Sequence, residues 1–141
     1  MRVSYLQCCI EEGRVTVKAM TVRTMSDRNE KNDRIKLGQC GEDFAVRLLE
    51  LDGYEILDRN FRCEAGEIDI IAARCQHLVF TEVKTRRTAA FGRPSEAVDR
   101  RKQRRIKQAA ACWLRERASG GYRSYSFQVV EIMVNRIDHA F

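Results

Sequence analysis

The chain is 141 residues long and carries a formal charge of +6, with 44% hydrophobic and 33% charged residues. That length suits one domain with a real core, and a pI near 9.2 points to an anionic partner. No run of about 18 apolar residues occurs, which excludes a helical membrane span, and the start lacks the long apolar core of a secretory signal.

Six cysteines, at positions 8, 9, 40, 63, 75 and 112, form no CxxC pair, and His77 and His139 are the only histidines. This pattern argues against a zinc site and fits small buried thiols in a reducing cytoplasm.

Residues 1–33 read as an N-terminal extension, partly disordered, ahead of a domain over residues 34–141. Tyr5 to Ile10 and Val15 to Val17 have the composition of short strands, but Ser26 to Asp33 is polar throughout. A first helix is expected from about Arg34 to Asp52, because Leu37, Cys40 or Gly41, Phe44, Ala45 and Leu48 keep the spacing of one helical face. Asp33 is its expected N-cap and Gly53 its stop. Glu42 sits at the margin of that apolar stripe. Tyr54 to Leu57 reads as a short strand, Phe61-Arg62 begins the approach to a hairpin, and Gly66 is expected to permit a tight turn before Glu67.

The segment Gly66 to Arg86 alternates like two strands and threads charge through them. Asp69 lies among Ile68, Ile70 and Ile71, while Glu82 and Lys84 are interleaved with Val79, Phe80 and Val83. An unpartnered carboxylate in a strand interior costs several kcal/mol on burial, so these charges require a local partner. A hairpin with the loop Arg74-Cys75-Gln76-His77 would set Asp69 opposite Glu82 and Glu67 opposite Lys84, each pair on one face. A slip of one residue would separate them. Two converging carboxylates suit Mg²⁺ or Mn²⁺, bound with water and phosphate. The same string also suits a solvated sheet face with Lys84 as an ion-pair partner.

Arg87 to Pro94 reads as a loop. A second helix is expected to start at a Ser95 cap, with Glu96 and Asp99 at its positive end, and to stop at Gly120-Gly121. Its apolar stripe is Val98, Ile106, Ala109, Ala110, Trp113 and Leu114. From Lys84 to Lys107 there are ten basic residues against two acidic ones, a local excess of +8. Arg86, Arg87, Arg100, Arg101, Lys102, Arg104 and Arg105 are the expected nucleic-acid contacts, neutralising a phosphate backbone without reading its sequence. Tyr125 to Val134 is the last strand.

Phosphodiester cleavage needs charge neutralisation at the phosphate and a positioned water. Asp69, Glu82 and the carbonyl of Val83 are the expected metal ligands. Lys84 is expected to orient the water or stabilise transition-state charge, and Glu42 to reach a second ion or a water from the first helix.

Taken together these pieces resemble the YraN-like family of uncharacterised bacterial proteins, assigned to the restriction-endonuclease-like PD-(D/E)xK fold. The resemblance is carried by Gly41-Glu42 with Ala45, Asn60-Phe61-Arg62, Gly66-Glu67-Ile68-Asp69, Glu82-Val83-Lys84 with Arg86, Gly92, Ser95 to Val98 with Lys102, and Ile137-Asp138-His139 to Phe141. It implies an α/β, three-layer fold, a central mixed sheet flanked by helices, similar to Holliday-junction resolvases. It also implies catalytic roles for Glu42, Asp69, Glu82 and Lys84, with Glu67 an additional family position. Two departures stand out: Gln128 occupies a place in the last strand where the family usually has Asp, and the terminal segment around His139 is shortened.

The expectation is therefore a Mg²⁺-dependent endonuclease or nuclease-like protein acting on nucleic acid, DNA before RNA, with branched DNA among the candidates. A non-catalytic nucleic-acid-binding protein on the same fold is the alternative, and an interaction protein docking an acidic partner is a more distant one. Oligomeric state is not legible in the sequence.

Overall fold

Apolar residues at three- and four-residue spacing wind Glu30–Leu51 into the first helix, α1. The computed structural model describes residues 6–11, 14–19, 30–86, 99–117 and 121–134, with side chains from residue 32 onward. The helix starts earlier than expected and crosses the 33/34 boundary, so Asp33 lies inside it and is not its N-cap. Glu30, Lys31 and Arg34 are tolerated in a helix, no Gly or Pro interrupts them, and Arg34 to Lys36 are exposed, so no burial is needed there. The far end stops as expected. Gly53 adopts φ +80°, the Gly53 N–H bonds the Glu50 carbonyl at 3.0 Å and the Tyr54 N–H bonds the Leu49 carbonyl at 2.9 Å, a Schellman closure.

Next come β3 (Glu55–Cys63), β4 (Gly66–Arg74) and β5 (His77–Arg86), an antiparallel meander. The two short pieces expected near residues 54–57 and 61–62 are one strand, β3. Its polar centre looks like a loop in sequence, yet Asn60 takes φ +53° and pairing resumes at Phe61↔Ile68. Asn is among the residues that tolerate this conformation. Asp58 is held by Trp113 Nε1 at 3.1 Å and Arg117 Nη1 at 2.6 Å. The β4–β5 hairpin has the expected register, with Ile70↔Thr81, Ala72↔Val79 and Arg74↔His77. Its turn is tighter than expected, because Arg74 and His77 still pair and only Cys75, at φ +56°, and Gln76 turn.

The second helix, α2 (Arg100–Arg117), begins at Asp99. Asp99 Oδ1 accepts the Lys102 N–H at 2.7 Å and its carbonyl accepts the Gln103 N–H at 2.9 Å, so Asp99 caps this helix. Ser95, Glu96, Val98, Gly92, Arg87, Gly120 and residues 135–141 lie outside the described residues. The chain returns in β6 (Ser124–Val134), parallel to β5. Two more strands come from the first 33 residues: β1 (Leu6–Glu11) and β2 (Arg14–Ala19) form a hairpin, and β2 runs parallel to β6. These segments thus extend the sheet, whose order is β1-β2-β6-β5-β4-β3.

Strand alternation splits the core into two layers. Ile71, Ala73, Leu78 and Phe80 pack under Ile106, Ala109, Ala110 and Trp113 of α2. Ile70, Ala72, Val79, Val130 and Ile132 pack against Ala45 and Leu49 of α1. The result is a three-layer α/β domain with a mixed sheet between the helices. No helix among the described residues is long and apolar enough to cross a membrane.

Two glycines set how closely the helices approach. A Cβ on Gly41 would lie 1.8 Å from Thr85 Oγ1, so only glycine lets α1 lie against β5. A Cβ on Gly66 would lie 3.0 Å from the Arg105 carbonyl oxygen. The tight turn expected before Glu67 is present at residues 64–65, with Cys63 paired to Gly66, and Gly66 also makes room for α2.

Candidate functional site

The β4–β5 ladder runs out after Ile70↔Thr81. One step further, where the register would pair Asp69 with Glu82, a side chain replaces the backbone. Asp69 Oδ2 accepts the Val83 N–H at 2.7 Å. This wedge places the Asp69 carboxylate where β4 and β5 part while their outer neighbours stay paired, within reach of the charges of Glu42 on α1 and Lys102 on α2. Burial pushes its pKa up to about 6 from 3.8; the Val83 N–H opposes this, while the charges of Glu82 and Glu42 add to it and Lys102 pulls it back. Asp69 is thus a carboxylate short of positive charge.

Glu82 is buried, at 3% exposure, on the α2 face. Its Oε1 accepts Lys84 Nζ at 2.5 Å, and its Oε2 lies 3.3 Å from Lys102 Nζ. That second approach is an ion pair without hydrogen-bond alignment, and Oε2 has no hydrogen-bond partner. A buried oxygen left this way carries a desolvation cost that a better-placed cation would relieve. The solvated-face alternative for the Asp-Glu-Lys string does not hold for Glu82.

Glu42 reaches the neighbourhood from α1, adding to the negative potential at Asp69, and is held by Asn60 Nδ2 at 3.1 Å. The αL turn at Asn60 faces the end of the ladder, since Arg59↔Ile70 and Phe61↔Ile68 flank it. The β4–β5 ladder ends before Glu67 and Lys84, whose side chains find other partners. Glu67 pairs with Arg62 at 3.7 Å and with Lys102 at 3.5 Å, while Lys84 turns to Glu82. Gln128 donates to Thr81 Oγ1 at 2.8 Å.

The basic residues divide. Arg100, Arg101, Arg104 and Arg105 are exposed along α2. Lys102 is not part of that outer surface. It stands one turn before buried Ile106 and reaches both Glu67 and Glu82. Arg86 pairs with Glu131 at 3.3 Å, and Arg87 lies outside the described residues. Lys102 and Asn60 are thus site residues whose roles the sequence reading missed. Lys102 continues the 106-109-110-113 stripe at helical spacing, which was the available signal; Asn60 stands in the Asn60-Phe61-Arg62 string, but nothing local marks its hold on Glu42.

Among the described residues no group of three or more His, Cys, Asp or Glu side chains is placed to hold a metal ion. A closed zinc cage is thereby absent from them. A two-carboxylate Mg²⁺ site is a different arrangement, completed by backbone oxygen, water and phosphate. Asp69, with its raised pKa, and Glu82, with a buried unbonded oxygen, fit that demand. Val83 offers its N–H to Asp69, and an extended residue turns its carbonyl toward the same edge. The described cysteines, Cys40, Cys63, Cys75 and Cys112, are free.

The site's residues fall within a matched family region. The model of the uncharacterised protein family UPF0102 covers residues 41–138. A UPF0102 protein of Caldicellulosiruptor saccharolyticus is 49% identical over 100 residues, spanning 71% of this chain and 84% of that protein. One from Moorella thermoacetica is 48% identical over 103 residues, spanning 73% and 85%, and one from Rhodococcus opacus is 51% identical over 100 residues, spanning 71% and 84%. The chain belongs to the UPF0102 family.

Proposed function

We propose that this protein is a Mg²⁺- or Mn²⁺-dependent nuclease of the PD-(D/E)xK kind, working on nucleic acid, DNA before RNA, in a reducing cytoplasm. The observation that supports this reading is that the charges of Glu82 and Glu42 bear on a buried Asp69 where the β4–β5 ladder opens, with Lys84 on Glu82. A protein that only bound nucleic acid would have no use for mutually repelling carboxylates among basic groups.

Asp69 and Glu82, with the Val83 carbonyl, would hold the cation. When bound, the ion supplies positive charge to the scissile phosphate and acidifies a water. Lys84 would orient the attacking water or steady charge on the phosphate. Lys102 would keep part of the Glu82 charge neutralised, and Glu42 would accept a proton or bind water near Asp69. The exposed Arg100, Arg101, Arg104 and Arg105 would neutralise the strand on either side of the cut.

The experiment is a cleavage screen with Mg²⁺ or Mn²⁺ over linear, nicked, flapped and four-way DNA and a matching RNA, with Asp69→Ala as control. Cleavage by the wild type alone supports the reading. DNA binding without cleavage of any form favours the non-catalytic module.

A further inference from the structure

On the α2 side of the sheet, Tyr125, Phe127 and Val129 alternate along β6. The helix α2 packs over β4 and β3, which leaves Tyr125 58% and Phe127 38% exposed. Behind them Phe80 is fully buried and stacks on Phe127, with ring centroids 5.4 Å apart at 26°. Tyr125 stands edge-on to Phe127 at 5.9 Å. Between this aromatic platform and α2 lies a pocket of about 220 Å³, walled by Phe80, Phe127, Ile106 and Lys107, with Glu82 among its lining residues.

Three properties define what would fit. The walls offer flat apolar rings beside cations, since Lys107 lines the pocket and Arg100 and Arg104 follow the same exposed helical stripe. The volume falls short of the roughly 300–1,000 Å³ typical of drug-sized ligands, so it suits one ring system. The register pairs Phe80 with Phe127 and Glu82 with Val129, which sets the platform about 7 Å along the strand from the carboxylate site. A planar ring joined to a phosphate a short distance away has all three features.

We infer that this pocket receives an unpaired nucleobase of the strand whose phosphate reaches Asp69 and Glu82, so that the preferred substrate carries an unstacked nucleotide at the site. The inference rests on the nuclease reading above and narrows its substrate class. A paired base presents no free face to Phe127, whereas a bulged, flapped or single-stranded one does. Stacking on an aromatic ring is also tolerant of base identity.

The test compares a perfect DNA duplex with the same duplex carrying a one-nucleotide bulge, using Asp69→Asn protein so that no strand is cut. The bulged form should bind more tightly, and 5-iodouracil at the bulge should photocrosslink to Tyr125 or Phe127. Tyr125→Leu with Phe127→Leu should weaken bulge binding roughly five- to hundredfold and leave perfect-duplex binding unchanged. Tyr125→Leu alone, at the more exposed ring, guards against misfolding and should give a smaller loss in the same direction. Equal affinity for both duplexes, with crosslinks elsewhere, would overturn this inference and leave the nuclease reading standing. Failure of the wild type to bind any nucleic acid would remove both. A concentration-dependent dimer lost on Tyr125→Leu would assign the patch to a second copy instead.

Discussion

Asp69 Oδ2 takes the Val83 N–H at 2.7 Å, so a side chain closes the β4–β5 ladder where the backbone leaves off. That bond favours the ionised acid, yet burial and the two nearby glutamates outweigh it, and the pKa ends near 6 against 3.8. A folded-state value above the unfolded one means that folding favours the protonated acid. Without divalent cations, Asp69's contribution to stability is therefore greatest below about pH 4 and declines as pH rises toward 6. At 1.36 kcal/mol per pH unit the ceiling is about 3 kcal/mol, and screening of the exposed part brings it nearer half of that. Asp69→Asn should lack this decline, and urea melts at pH 4 and pH 7 with chelator present measure it. Equal slopes in wild type and variant would show that Asp69 ionises normally.

Divalent cation should reverse the effect above pH 6. A ligand that binds only the folded state raises stability by mass action, and here it also relieves the repulsion among Asp69, Glu82 and Glu42. Millimolar Mg²⁺ or Mn²⁺ should raise the melting temperature of the wild type but not of Asp69→Asn or Glu82→Gln. Calorimetry should show proton release on binding near pH 6. A melting temperature indifferent to both ions would mean that Lys84 and Lys102 are the permanent partners of Glu82.

This pair was legible because two short apolar strands flank a single tight turn, and period-two alternation then leaves one register that buries both Ile71 and Phe80. The surroundings were less so. Asp58-Arg59-Asn60 has the composition of a loop, and only tertiary partners, Trp113 and Arg117 on Asp58, keep it within a strand. The start of α1 was missed because residues 34–36 are exposed and bury no apolar face. The strand composition of β1 and β2 was legible, but their place in the sheet was not, because it depends on β6, over a hundred residues away.

Lys102 separates a site role from a surface one. If it neutralises Glu82, Lys102→Met leaves a carboxylate at 3% exposure with Lys84 alone. Breaking a buried pair costs about 3–5 kcal/mol, and the remaining lysine should hold the loss to about 1–2 kcal/mol. Glu82→Gln in the same protein should recover most of it, a coupling that a double-mutant cycle reads directly. The salt dependence of DNA binding should not change. A stable Lys102→Met protein with weakened DNA binding would return Lys102 to the outer surface.

The exposed arginines should behave oppositely. Replacing Arg100, Arg101, Arg104 and Arg105 with Gln should leave stability near wild type, since none is buried. Each lost phosphate contact should flatten the slope of log affinity against log salt by about 0.9. Fluorescence anisotropy from low to moderate salt measures it. An unchanged slope would place the nucleic-acid surface away from α2.

Gly41→Ala sets two effects of opposite sign against each other. Ala is favoured over Gly in a helix by roughly 0.5–1 kcal/mol, which alone would make the variant more stable. Its Cβ, however, would sit 1.8 Å from Thr85 Oγ1, and forcing atoms into a filled interface costs about 1–3 kcal/mol. The clash should win, lowering stability by about 1–2 kcal/mol. Thr85 Oγ1 is itself buried without a hydrogen-bond partner, so Thr85→Ala should cost little and should restore Gly41→Ala to wild-type stability or above. Because α1 also carries Glu42 toward Asp69, the single variant should lose cleavage or Mg²⁺ affinity together with stability, and the double variant should regain both. Stability recovered without the site's function would show that α1 is packed by Gly41 but not positioned by it.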